Sequence, residues 1–240
     1  GRPQNLRAAT MPGGGKARII KSGKINYLGN RNMKKYEVLQ KMHSERVFAI
    51  LRLASAQTAE KCIAALAEGG IHCVEITMTI PLAHRVLESA CAGGEGKVLI
   101  GAGTVLDAES ARIAVLSGAQ FVVSPNFNEE VVRTCNRYGV PAICGVATPT
   151  EAARALEAGA DVLKLFPANI YPYSIIKTLR GPFPNIELIP TGGIGLGNIG
   201  EWLKAGAFAC GVGGELLRGA DEGDYARVTA SAKKFKEATL

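Results

Sequence analysis

Eight short, nearly continuous apolar runs separated by amphipathic stretches constrain this chain more than any other feature of its sequence. They are Val47 to Leu51, Cys73 to Thr77, Val98 to Ala102, Phe121 to Ser124, Val140 to Ile143, Asp161 to Leu165, Glu187 to Ile189 and Phe208 to Val212. A strand that is apolar on both faces belongs in a parallel sheet covered on both sides, because a half-solvated strand would alternate. The stretches between carry helical spacing. Ala59, Cys62, Ile63, Leu66 and Ala67, for example, set apolar side chains three and four residues apart. Eight strand–helix units fit a chain of 240 residues, and that count favours a closed (β/α)₈ TIM barrel over an open sheet.

A weak internal repeat supports the count. Glu68-Gly69-Gly70, Ser117-Gly118-Ala119, Ala158-Gly159-Ala160 and Ala205-Gly206-Ala207 each lead straight from a helical stretch into an apolar run. Glycine there can take the left-handed conformation that ends a helix. Their central residues lie 49, 41 and 47 residues apart, about two strand–helix units each. They therefore introduce strands two, four, six and eight.

Charge divides the chain into two regions. The net charge is +7, yet residues 1–33 hold seven bases and no acid, leaving 21 bases against 21 acids in residues 34–240. The barrel domain, 34–240, is neutral, and its charge gives no support to nucleic-acid binding. The basic segment 1–33 lacks apolar periodicity and reads as a flexible extension. A translated upstream or vector-derived segment ahead of Met33 is the favoured origin, with a transit peptide or a basic interaction tail as alternatives. No apolar run approaches the roughly 20 residues that span a bilayer, so no membrane role is expected. The six cysteines include no C-x-x-C pair and read as reduced core thiols of a cytoplasmic protein. The three histidines lack ligand spacing, so no metal site is expected.

In such a barrel the chemistry sits at the C-terminal ends of the strands, so polar groups there carry the most information. Arg52, Glu75, Thr104 and Lys164 stand out, with Thr191 a weaker candidate. Alternation puts Val162, Lys164 and Phe166 on one face of strand six and Leu163 and Leu165 on the other. Burial disfavours the ammonium form of a lysine, and the neutral amine attacks a ketone to form an imine that acts as an electron sink. A lysine reaching outward between barrel and helix is the structural alternative. Glu75, mid-strand among apolar neighbours, can move protons or stand in a buried ion pair. Arg52 offers a planar fork for a carboxylate, or a rim salt bridge. Gly192-Gly193 follows strand seven and Gly213-Gly214 follows strand eight. Loops at those positions are the usual phosphate site of barrels, where glycine lets backbone N–H groups approach an anion.

With these stretches in place, residues 34–240 resemble the 2-keto-3-deoxy-6-phosphogluconate (KDPG) / 4-hydroxy-2-oxoglutarate (KHG) aldolase family. The matching segments are Val74-Glu75-Ile76-Thr77, Gly101-Ala102-Gly103-Thr104-Val105, Ser124-Pro125, Thr148-Pro149-Thr150-Glu151, Lys164-Leu165-Phe166-Pro167-Ala168 and Pro190-Thr191-Gly192-Gly193-Ile194. The resemblance implies a homotrimeric class I aldolase that releases pyruvate from a keto acid and needs no cofactor. Lys164 would form the Schiff base and Glu75 would act as acid and base, through water. Arg52, Thr104 and Phe166 would surround the pyruvyl portion, with Arg52 on its carboxylate, and Pro125 and Thr191 would also contact substrate. Some members carry that arginine after the strand-two glutamate, where this chain has Thr79. The strand-eight loop departs from the family's pattern, with Gly214 and Glu215 where a serine is common, which replaces a hydroxyl donor with an adjacent acid. Cys144 stands where a proline is common. The aldehyde product would be glyceraldehyde 3-phosphate if the glycine pairs hold phosphate, or glyoxylate if they do not. A phosphate-binding barrel isomerase or transferase, or a catalytically idle self-assembling scaffold, remain the alternatives.

Overall fold

In the computed structural model, which describes residues 33–93 and 97–240, each of the eight apolar runs contributes a strand. These are β1 (Val47–Leu51), β2 (Cys73–Thr77), β3 (Leu99–Gly103), β4 (Val122–Val123), β5 (Ala142–Val146), β6 (Val162–Leu165), β7 (Leu188–Pro190) and β8 (Cys210–Val212). All pair in parallel in the order β7-β6-β5-β4-β3-β2-β1-β8, and a parallel bridge between Thr191 and Gly211 joins the two ends. The result is the expected (β/α)₈ barrel. The extension inferred for the N-terminus lies outside the described residues, apart from Met33. No described helix is long and apolar enough to cross a membrane.

Helices α2 (Ala56–Glu68), α3 (Ala83–Gly93), α4 (Ala108–Leu116), α5 (Glu129–Arg137), α6 (Pro149–Glu157), α7 (Ile175–Arg180), α8 (Ile199–Lys204) and α9 (Tyr225–Glu237) alternate with the strands and follow the last one. The four glycine tripeptides end helices as the repeat predicts, with φ of +88° at Gly70, +94° at Gly118, +88° at Gly159 and +100° at Gly206. Helix starts are equally local. Ser55, Asp107 and Asn128 each accept a backbone N–H three residues ahead. The Thr148-Pro149-Thr150-Glu151 stretch is a capping box: Thr148 Oγ1 accepts from Glu151 N, while Glu151 accepts from Thr148 N and Ala147 N. That motif fixes where α6 leaves the barrel rim.

The alternation of the strands sorts the core into two layers. Val47, Ala49, Leu51, Leu163 and Leu165 pack outward against the helices. Phe48, Leu99, Phe121, Val123, Ile143, Val162 and Ile189 fill the barrel interior. Each large apolar side chain so buried contributes about 1.5–3 kcal/mol. An additional helix, α1 (Lys35–Glu45), precedes β1 and drives Val38 and Met42 into the interior cluster, closing one end of the barrel. The apolar periodicity of the sequence did not single it out, since these are its only two buried residues.

β1 and β2 have the extent read from the sequence, and the other six strands are shifted or shortened by one to three residues at an end. β4 is two residues long rather than four. β5 begins after Pro141, which has no N–H to give and whose carbonyl accepts from Val122 N. It then runs on through Cys144, Gly145 and Val146. Gly145 is needed there for space: a Cβ would stand 2.2 Å from the carbonyl carbon of Pro125. Backbone cannot yield as a flexible side chain can. Gly145→Ala is therefore expected to destabilise the protein by about 2–3 kcal/mol, read as a lower urea midpoint at unchanged slope.

Candidate active site

Lys164 and Glu75 come from strands on different parts of the barrel wall and meet inside it. Lys164 stands two residues along β6 from the interior Val162, between Gly145 of β5 and Ile189 of β7 in register. Glu75 lies between Ile50 of β1 and Gly101 of β3. The Lys164 Nζ is 4.0 Å from Glu75 Oε1, with the two side chains 7% and 1% exposed. The outward-reaching alternative for Lys164 is thereby set aside, because its side chain ends at the inward-facing carboxylate.

The carboxylate fits only because its neighbour has no side chain. A Cβ on Gly103 would lie 1.8 Å from Glu75 Oε1. Sequence reading gave Gly103 no role of its own, and nothing in the sequence short of the register could have supplied one. Both Glu75 oxygens are buried without a hydrogen-bond partner. A buried carboxylate without a hydrogen bond is costly, and each such group in a folded protein calls for an explanation. Burial raises its pKa, opposed by the charges of Lys164 and then Arg52.

The other residues singled out in the sequence are arranged around this pair. Phe166 lies beyond Lys164 on the same face, its ring centre 5.3 Å from Nζ. Arg52, following β1, is exposed at the rim, and its Nη2 is 3.5 Å from Thr104 Oγ1. Thr104 itself has φ of +55°, an unfavourable value for a branched residue, at the turn leaving β3. Thr79 bonds to Thr77 Oγ1 at 2.8 Å. Thr191 is 5% exposed, and its hydroxyl has no hydrogen-bond partner.

A cleft of about 960 Å³ runs over the ends of β1, β7 and β8. Arg52, Phe166, Thr191, Gly192, Gly193, Gly213 and Gly214 all line it. Gly192 and Gly193 have φ of +92° and +74°, so the turn after β7 depends on glycine at both positions. Asn198 clamps that loop, donating to Gly193 O at 2.8 Å and accepting from Gly195 N at 2.9 Å. Pro125 is not part of this lining; its backbone instead packs over Gly145. Glu215 and Asp221 join the lining, and of these the sequence pointed only to Glu215. Among the described residues there is no cluster of three or more His, Cys, Asp or Glu able to hold a metal.

Fold and site together define a (β/α)₈ barrel with a buried lysine–carboxylate pair at the strand ends where barrel enzymes do their chemistry. The family model for KDPG and KHG aldolase matches residues 38–231, so the chain belongs to that family. It is 39% identical over 207 residues to the 2-dehydro-3-deoxy-phosphogluconate aldolase of Treponema pallidum (strain Nichols), covering 83% of this chain and 94% of that one. Among solved structures it resembles the KDPG aldolase of Legionella pneumophila with pyruvate captured at low pH as a covalent carbinolamine intermediate. That match has a TM-score of 0.75 and 28% identity, over 84% of this chain and 97% of the other. It also resembles a chain of a cube-shaped protein cage designed by fusing symmetric oligomeric domains, with a TM-score of 0.76 and 34% identity over 80% and 71% of the two chains.

Proposed function

We propose that this protein is a class I aldolase that reversibly cleaves a 4-hydroxy-2-oxo acid of the KDPG or KHG type into pyruvate and an aldehyde. The observation that carries this reading is the buried Lys164–Glu75 pair, 4.0 Å apart inside the barrel. The neutral Lys164 amine attacks the C2 ketone, and the resulting carbinolamine loses water to give a protonated imine. Glu75 then takes the proton of the C4 hydroxyl. The C3–C4 bond breaks, its electrons pass into the imine as an enamine, and the C4 oxygen leaves as an aldehyde. Glu75 returns a proton to C3, and water releases pyruvate from the lysine. No metal or organic cofactor enters these steps.

Arg52 holds the substrate carboxylate in this scheme, with Thr104, Phe166, Pro125 and the unpartnered Thr191 hydroxyl around the pyruvyl portion. The cleft past Thr191, bounded by Gly192, Gly193, Gly213 and Gly214, takes the aldehyde half. A homotrimer is part of the proposal. Leu106, Ile113 and Leu116, in and before α4, are 52%, 45% and 54% exposed, and a partner chain would cover such side chains. A cytoplasmic setting accords with six cysteines outside any disulfide, five of them buried.

Trapping with pyruvate and borohydride tests the chemistry directly. Intact mass is expected to rise by one reduced pyruvyl group, and peptide mapping to place it on Lys164. A folded protein that gains no adduct would turn the assignment toward a phosphate-binding isomerase or transferase, which has no need of Lys164.

A further inference from the structure

Arg52 and Thr104 stand beside each other at the barrel rim, yet they do not come from neighbouring strands. The strand order places β2 between β1, which ends at Leu51, and β3, which ends at Gly103. Both of these ends are fastened to the end of β2. On one side the Thr77 hydroxyl donates to Leu51 O at 2.8 Å. On the other, Met78 N donates to Gly103 O at 2.8 Å. The two carbonyls so held belong to the peptide units that lead directly into Arg52 and Thr104. Across the span between them, Arg52 Nη2 lies 3.5 Å from Thr104 Oγ1.

The two fastenings differ in kind. The Met78 bond is main chain to main chain, and any residue but proline could make it. The Thr77 bond depends on a side chain. Thr77 is the last residue of β2, two beyond Glu75, and it is fully buried. A hydroxyl has one hydrogen to give. That of Thr77 goes to Leu51 O, so in the 2.8 Å contact between the Thr77 and Thr79 hydroxyls it is Thr79 that donates. The result is a relay from Thr79 to Thr77 to Leu51 O, in which each bond polarises the next. Neither threonine lines the cleft, so the relay acts on a substrate only through what it holds.

What it holds is the base of Arg52. A guanidinium on a long exposed stem has many conformers, while its forked contact with a carboxylate tolerates little misalignment. Fixing the peptide that carries the side chain reduces the ordering that binding must otherwise impose. We propose that Thr77, backed by Thr79, is a positioning residue for Arg52, holding the Leu51–Arg52 peptide so that the guanidinium meets the carboxylate of the keto acid. This rests on the aldolase reading above and adds to it a residue that touches no substrate.

The test follows exchange of the pyruvate methyl protons in deuterium oxide by NMR across a range of pyruvate concentrations. It uses the whole chain and needs no aldehyde. Thr77→Val keeps the shape of the side chain and removes the hydroxyl. It is expected to raise half-saturating pyruvate by about tenfold while leaving the limiting rate within about threefold. Thr77→Ser, which restores the donor, should return the half-saturation close to the wild-type value. Arg52→Ala should raise it alone, and Thr77→Val added to Arg52→Ala should raise it no further, because the two residues act in series. A barrel that was merely loosened would instead add its effect to that of Arg52→Ala. Thr79→Val, at an exposed position, should give a rise of about threefold, and it decides the question if Thr77→Val does not fold. An unmoved half-saturation in either valine variant, or additivity with Arg52→Ala, would overturn the proposal. If the wild type still exchanges the pyruvate protons in that case, the aldolase reading survives and only the role of Thr77 fails. If the wild type neither exchanges those protons nor traps pyruvate, both fail.

Discussion

Lys164→Met is expected to lower kcat/KM by about 10⁴-fold or more and to abolish the borohydride-trapped pyruvyl adduct. Methionine is close to lysine in length and packs well in an interior where Lys164 is already 6% exposed. The substitution therefore removes the nucleophile without opening a cavity. Glu75 would lose its cationic neighbour, but a carboxyl in that position can remain protonated, so no unpaired charge need be buried. Circular dichroism and thermal unfolding should stay close to wild type, which separates loss of chemistry from loss of fold. Lys164→Arg is the companion variant. It keeps the positive charge beside Glu75 and supplies no neutral amine at working pH. Its inactivity would rule out a purely electrostatic role for Lys164, whereas appreciable turnover by either variant would remove the Schiff base from the mechanism.

The pair was visible in the sequence because each charge interrupts an apolar run. Val162-Leu163-Lys164-Leu165 and Val74-Glu75-Ile76 are strands with one residue that an ordinary core would exclude, and period-two alternation then says which face that residue shares. The structure agrees on the face, with Val162 inside the barrel and Leu163 and Leu165 outside it. Helix ends were legible for the same local reason, since a glycine at φ near +90° serves one purpose whatever surrounds it. What depends on register or on packing between distant segments was not legible. The space Gly103 leaves for Glu75, the passage of Pro125 over Gly145 and the reach of Glu215 to Leu196 are contacts between separate loops or strands. No window of sequence contains both partners. Helix α1 escaped because two buried residues, Val38 and Met42, are too few to make a periodicity.

Glu75→Gln is expected to reduce kcat by about 10³-fold while leaving Lys164 able to trap pyruvate. The amide fills the space beside Gly103 as the carboxylate does but cannot accept the C4 hydroxyl proton or return one to C3. Exchange of the pyruvate methyl protons with deuterium oxide, which needs only imine formation and proton transfer at C3, should fall with kcat. That readout separates Glu75 from any residue that merely shapes the cleft. The pH dependence carries a further signature. Burial holds the Glu75 pKa above the usual carboxylate range, despite the opposing charges of Lys164 and Arg52. The acidic limb of the wild-type kcat/KM profile, which reports the free enzyme, should accordingly lie above that range, and it should vanish in Glu75→Gln. Stability must follow the same proton. The folded protein binds it more tightly than the unfolded chain, so wild-type stability falls as pH rises from the unfolded pKa through the folded one. Glu75→Gln lacks this loss, and its urea midpoint should gain on the wild type as pH increases across that window. A midpoint difference independent of pH would mean that Glu75 is ionised in the same range folded and unfolded. Its proton would then be too weakly held to serve both directions of the proposed reaction.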